Sequence, residues 1–157
     1  QSGSVYLEKT AGIKKGDRIL YVGQNDLSVL NLYFSAIRLG AVLVPINYRL
    51  TPTEVAYIIS NSKPSLIVHD DTYEELATEA IELVQDHSAK KLFLRGENGF
   101  EFQARKNFLY PEFHAEESDP AMIIYTSGTT GFPKGAMISH GGLFWNAVST
   151  SMRLNIT

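Results

Sequence analysis

Residues 41–68 read AVLVPINYRLTPTEVAYIISNSKPSLIV, and the alternation inside this stretch decides the fold. Ala41-Val42-Leu43-Val44 is a short, wholly apolar run ended by Pro45, the signature of a strand buried on both faces. Thr51-Pro52-Thr53-Glu54 then opens a helix, with threonine at the N-cap, proline at the first helical position and glutamate where a capping box needs it. Val55, Ile58 and Ile59 give that helix an apolar side, and it stops before Pro64. Ser65-Leu66-Ile67-Val68 is again a buried strand. Two such strands joined by a helix predict parallel pairing through a right-handed crossover.

The same alternation continues in both directions. Upstream, Val5 to Lys9 reads as helix, and Ile19-Leu20-Tyr21-Val22 as a strand ending at Gly23. A helix follows with Leu27, Leu30, Phe34 and Ile37 on one face, Asn25 or Asp26 as its cap, and Gly40 at its close. Downstream, Thr72 to Glu75 offers a second capping box, opening a helix with Leu76, Ala80, Leu83 and Val84 on one side. Lys91-Leu92-Phe93-Leu94 is the next strand. Residues 96–119 break the pattern: Gly96, Gly99, Pro111 and Glu116-Glu117-Ser118-Asp119 predict an exposed stretch, with 97–118 as the irregular connection. Beyond it come a strand over 121–126, a short return strand Ala136-Met137-Ile138-Ser139, and helical spacing of Leu143, Phe144, Ala147, Val148 and Met152. The predicted class is α/β, a three-layer sandwich with a mostly parallel sheet.

Bulk composition narrows the function. The chain has 157 residues, 44% hydrophobic and 20% charged, with net charge −3, which removes a broad electrostatic case for nucleic acid. The basic pairs Lys14-Lys15 and Lys90-Lys91 are isolated and read as solvated charges. There is no cysteine, so disulfides, thiolate catalysis and cysteine-based zinc sites are excluded. His69, His87, His114 and His140 share no metal-ligand spacing. No apolar run approaches membrane-spanning length, and no basic-then-apolar leader opens the chain. A cytoplasmic protein without a transmembrane segment is the expectation.

One stretch carries chemistry: Tyr125-Thr126-Ser127-Gly128-Thr129-Thr130-Gly131-Phe132-Pro133-Lys134-Gly135, directly after the apolar run Ala121-Met122-Ile123-Ile124. Hydroxyls, glycine-freed backbone N–H groups and one ammonium together suit a polyanion such as a nucleotide phosphate tail. A Walker A loop is excluded: counted from Gly128, its second glycine falls on Pro133, and Gly135 stands where Ser or Thr is required. The spacing of Gly128, Gly131 and Gly135 also fails the dinucleotide fingerprint. A plain surface turn accounts for the glycines and the proline, but not for the hydroxyls and lysine beside them.

The full string resembles the phosphate-binding loop of the AMP-forming adenylating superfamily, which includes acyl-CoA synthetases, aryl-CoA ligases, luciferases and peptide-synthetase adenylation domains. Gly16-Asp17-Arg18, Ile37-Arg38-Leu39-Gly40, Val44-Pro45-Ile46-Asn47-Tyr48-Arg49-Leu50-Thr51-Pro52 and Ser139-His140 are similar to other segments of its N-terminal domain. The 47–52 stretch is more similar to acyl- and aryl-CoA ligases than to peptide-synthetase domains.

The resemblance implies a two-step reaction. A carboxylic acid and ATP form an acyl-adenylate and pyrophosphate, and the acyl group then passes to the thiol of coenzyme A. It implies Thr126, Ser127, Gly128, Thr129, Thr130, Gly131 and Lys134 as ATP contacts, Lys134 as the catalytic charge, and Thr126 as a contact for the Mg²⁺ accompanying ATP. The superfamily's later adenine, ribose, hinge and catalytic-lysine segments do not occur in these residues. The expectation is therefore part of an N-terminal ATP-binding domain, inactive by itself and able to self-associate through surface meant for the rest of the enzyme. Three alternatives stand beside it: an adenylation domain from another branch, a small autonomous phosphate-binding module without adenylation, and a purely structural α/β domain.

Overall fold

A computed structural model describes residues 2–85, 88–93, 100, 115–126 and 132–154. Among them lie six strands: β1 (Arg18–Val22), β2 (Val42–Ile46), β3 (Leu66–His69), β4 (Lys90–Phe93), β5 (Pro120–Thr126) and β6 (Lys134–Ser139). They form a sheet in the order β4-β3-β1-β2-β5-β6. Every neighbouring pair is parallel except β5 and β6, which are antiparallel. The described helices are α1 (Ser2–Tyr6), α2 (Leu27–Arg38), α3 (Pro52–Ser62), α4 (Glu74–Glu82) and α5 (His140–Leu154).

The strand order makes the chain reverse direction after β2. Right-handed crossovers then put α2 on one face of the sheet and α3 and α4 on the other. Two separate cores follow from the alternation of strand side chains. Ile19, Tyr21, Leu43, Leu66 and Val68 meet Val29, Leu32 and Ala36 of α2. Leu20, Val22, Val44, Ile46 and Ile67 meet Val55, Ile58 and Ile59 of α3 and Ala77 and Ala80 of α4. The three-layer sandwich expected from the alternating pattern is thus present.

Helix α3 forms as its local chemistry dictates. The Thr51 N–H donates to Glu54 Oε2 at 2.8 Å and the Glu54 N–H to Thr51 Oγ1 at 3.4 Å, closing the capping box. The Thr51 N–H and the Thr51 hydroxyl, both donating to Glu54 Oε2, hold that carboxyl below its ordinary range. The helix ends at Lys63, which takes the left-handed conformation (φ 47°) before Pro64.

Four details differ from the sequence reading. On α2 the cap is Asp26, accepting from the N–H groups of Ser28 and Val29, but the buried face is Ser28, Val29, Leu32, Ser35 and Ala36. Of the four residues read as its apolar face, Leu27, Leu30 and Phe34 are 82%, 50% and 60% exposed, while Ile37 is half-buried. At one point the close packing of α1 on α2 admits only a small side chain: a Cβ on Gly3 would lie 2.2 Å from Ser35 Oγ. On the α4 side no Thr72 capping box forms. Asp70 caps a 3₁₀ turn (Asp71–Tyr73) first, so α4 starts at Glu74 without a side-chain cap, and Leu83 is exposed. Strand β2 runs through Pro45 to Ile46. Its registered pair with β5 is Leu43↔Met122, upstream of the proline that has no N–H to donate. The 97–118 connection lies mostly outside the described residues, but Phe100 within it is fully buried, edge-on to Tyr6 in the α2-side core.

Gly16-Asp17-Arg18 works as a clasp. The Arg18 guanidinium donates to Ser62 O and Lys63 O, both at 2.8 Å, and to Gly16 O at 3.0 Å. It therefore satisfies carbonyls at the end of α3 that the helix itself cannot. Asp17 accepts from the Lys14 N–H at 2.8 Å and from the Ser65 hydroxyl at 3.0 Å. Arg18→Ala is expected to destabilise the fold by about 1–3 kcal/mol. Arg18→Lys should restore only part of this, since one ammonium cannot span the three carbonyls. Urea unfolding midpoints of the two variants check the ordering.

His69 is buried at the end of β3, and burial holds its imidazole below the ordinary range. The unfolded chain then takes up a proton that the folded chain refuses. Stability is accordingly expected to fall as pH drops through about 6.5 toward the folded value. His140 acts in the same direction. His69→Asn should flatten the pH dependence of the melting temperature between about pH 7 and pH 5; an unchanged slope would discount this residue.

Candidate functional site

Strands β1 to β5 all point the same way, so the segments after β1, β2, β3 and β5 share one edge of the sheet. In open α/β sheets that carboxyl edge is where ligands bind. The topological switch lies between β1 and β3, and this chain's own side chains occupy it. A Cβ on Gly23 would sit 2.3 Å from the Tyr21 hydroxyl, which donates to Gln24 O at 2.8 Å. Gln24 Nε2 donates to the Tyr73 hydroxyl at 3.0 Å, Tyr73 meets Tyr48 at 5.2 Å, and Arg49 lies 5.6 Å over the Tyr48 ring. The Arg49 N–H also closes on Asn47 Oδ1 at 3.0 Å. The Asn47-Tyr48-Arg49 turn is thereby tied to the segments after β1 and β3 before it enters α3.

Further along that edge stand the candidate phosphate residues. Thr126 is the last residue of β5 and Lys134 the first of β6, and the two are direct partners across the antiparallel pair. Cross-strand partners project from one face with Cβ atoms about 4.5–5.5 Å apart. A hydroxyl and an ammonium eight positions apart in sequence are thus brought side by side, both exposed to solvent. Among the described residues the ion pairs are Lys15–Asp119 at 2.7 Å and Lys91–Glu74 at 3.5 Å, and no carboxylate pairs with Lys134. Ser127, Gly128, Thr129, Thr130 and Gly131 lie outside the described residues.

The flanks of the loop reveal neighbours that sequence reasoning missed. Ile123 and Tyr125 pack on the α3-side core, so Thr126 belongs to the opposite side of the hairpin. The Tyr125 hydroxyl donates to Asn61 Oδ1 on α3. Burial pushes its phenol above the ordinary range, keeping it a neutral donor. Phe132, past the loop, stacks on Tyr57 of α3 at 5.0 Å and 28°. Gly135 makes room for this: a Cβ there would meet Ile123 Cγ2 at 2.8 Å and the Tyr125 ring at 3.1 Å.

Other features of this region are structural. The hydrogen bond from Lys15 holds the Asp119 carboxyl below its ordinary range. The α5 N-terminus is filled from within: the N–H groups of His140, Gly141 and Gly142 donate to Asp119 O, Glu117 O and Ser139 Oγ. Its dipole is therefore not offered to an outside anion. No cluster of three or more carboxylates or histidines suited to a metal occurs among the described residues. Among them, too, no helix is long and apolar enough to cross a membrane.

Comparison with known proteins gives concordant results. A family described as AMP-binding enzyme matches residues 4–156. Feruloyl-CoA synthase from Amycolatopsis sp. is 34% identical over 148 residues, covering 94% of this chain and 28% of the relative. The fatty acid–[acyl-carrier-protein] ligase ScoC of Streptomyces coeruleorubidus is 32% identical over 137 residues, covering 87% of this chain and 26% of its own length. Among solved structures, MatB from Rhodopseudomonas palustris superposes in its apo form with a TM-score of 0.81 at 26% identity, over 99% of this chain and 31% of MatB. Its ATP-bound form gives 0.77 at 28% identity, over 96% of this chain and 30% of that structure. The chain thus spans a little over a quarter of the length of the curated relatives it matches.

Proposed function

The chain belongs to the AMP-binding enzyme family, and on that premise we propose that it serves an AMP-forming acid–thiol ligase by gripping the phosphates of ATP. The activity is that of a protein carrying this chain together with the remaining length seen in its relatives. A carboxylate oxygen attacks the α-phosphorus of ATP, the bond to the β-phosphate breaks, and pyrophosphate departs with the electron pair. The acyl-adenylate then meets the thiol of coenzyme A, which attacks the acyl carbon and releases AMP and a proton.

The observation that carries this reading is the pairing of Thr126 with Lys134 at the carboxyl edge of the sheet. Charge builds on the leaving pyrophosphate, and an exposed ammonium held at a strand end counters it without rearrangement. Ser127, Gly128, Thr129, Thr130 and Gly131 complete the proposed set of phosphate contacts. Mg²⁺ arrives with ATP as part of the substrate, and Thr126 is the hydroxyl proposed to contact it. The relatives named above act, by name, on ferulate and on a fatty acid, so the carboxylate class is the open variable.

ATP–pyrophosphate exchange on the full-length protein, run with fatty, aromatic and short-chain acids, tests the proposal. Exchange that depends on one class of acid is the expected result. Absence of exchange with every class, or ATP turnover indifferent to added acid, overturns it.

A further inference from the structure

We infer that the Tyr57/Asn61 face of α3 is a mount for both ends of the candidate phosphate hairpin, which makes Tyr57 and Asn61 positioning residues for Thr126 and Lys134. The functional half of this inference rests on the reading just given; the mount itself rests on geometry alone. Tyr57 and Asn61 are four residues apart on one helix, so they share a face about 6 Å apart along its axis. Each holds a different flank. Asn61 accepts from the Tyr125 hydroxyl just before Thr126, and Tyr57 stacks on Phe132 just before Pro133 and Lys134.

The mount is itself anchored. Val55, Ile58 and Ile59 bury α3 in the core, and Tyr57 packs against the margin of the same cluster. The Thr51 capping box fixes its start, and Arg18 ties its end to β1. The position of the hairpin is thus referred through one rigid helix to the centre of the sheet. Four features speak for a positioning task rather than mere packing. Phe132 remains 65% exposed, so its ring contributes little buried area. The two contacts bracket the loop instead of lying along a strand. Gly135, the cross-strand partner of Tyr125, is bare of a side chain where a Cβ would meet the Tyr125 ring at 3.1 Å. Lys134 lies on the edge strand of the described sheet, whose outer side gives it no second reference point among the described residues.

The test has two readouts on the full-length protein. The first is amide hydrogen exchange, which needs no ATP. In Tyr57→Ala, exchange in 120–126 and 134–139 is expected to rise about threefold or more, with β1 and β3 unchanged. Tyr57→Phe keeps the ring and should restore protection. The second is kcat/KM for ATP in pyrophosphate exchange, expected to fall about three- to tenfold in Tyr57→Ala and in Asn61→Ala. Asn61→Asp, which still accepts from Tyr125, should recover most of the loss. Asn61→Ala combined with Tyr125→Phe should be no worse than either alone.

Unchanged hairpin protection in Tyr57→Ala overturns the mount. Faster hairpin exchange with unaltered kcat/KM for ATP overturns the positioning role. A wild-type protein without any exchange activity sinks the functional reading instead, while hydrogen exchange still decides the mount.

Discussion

The Lys134→Ala protein is expected to exchange pyrophosphate into ATP about ten to a hundred times more slowly than the parent, with its fold unchanged. The magnitude follows from the loss of a charge-assisted hydrogen bond, worth about 1.5–3 kcal/mol, at the point where negative charge grows. Loss of an interaction made mainly in the transition state lowers kcat and kcat/KM together. The fold should be indifferent, because Lys134 is exposed at the first position of an edge strand and pairs with no carboxylate among the described residues. An equal melting temperature with slow exchange therefore separates chemistry from stability. Lys134→Arg keeps the charge on a broader group and should recover part of the rate. Parental exchange rates in Lys134→Ala would remove this residue from the site.

The largest stability contrast lies on α2. Leu32→Ala is expected to cost about 3–4 kcal/mol, as large-to-small changes in a packed core do. Leu30→Ala, two positions away on the same helix, should cost less than about 1 kcal/mol. Leu32 is fully buried against Ile19, Tyr21 and Leu43, whereas Leu30 is half exposed. Urea unfolding of the two variants decides the matter: a shifted midpoint for Leu32→Ala and a near-parental one for Leu30→Ala are predicted. Equal costs would mean that α2 is turned differently on the sheet.

That contrast also shows where sequence reasoning reaches its limit. Helix α3 is legible because its signals are local: Thr51, Pro52 and Glu54 lie within one turn, and Pro64 stops what they start. Strands β1, β2 and β3 are legible because both faces are covered and their central positions are apolar. The buried side of α2 is not, because it is chosen by neighbours. Leu32 is buried while the equally large Leu27 and Leu30 are exposed, so residue type does not mark the face, and only at Ser35 does the close approach of Gly3 demand a small side chain. At α4 two local signals compete, and Asp70, nearer the end of β3, caps first and displaces the box at Thr72.

The candidate site divides in the same manner. The string from Tyr125 to Gly135 announces its chemistry through residue types alone, and its outer members prove to be strand residues that set Thr126 opposite Lys134. Nothing in the sequence connects that string to Tyr57 and Asn61, more than sixty positions earlier. Only the crossover that lays α3 on the same face as Ile123 and Tyr125 brings them together. Sequence therefore names the candidate groups, and topology supplies the frame that holds Thr126 and Lys134 together.

The most direct measurement follows one oxygen atom. The full-length protein is given ATP, coenzyme A and its carboxylic acid labelled with ¹⁸O in the carboxylate, and the AMP produced is analysed by mass spectrometry. Attack of the carboxylate on the α-phosphorus places one labelled oxygen in the AMP, and that transfer is the predicted result. Unlabelled AMP, or ADP and phosphate in its place, contradicts the account.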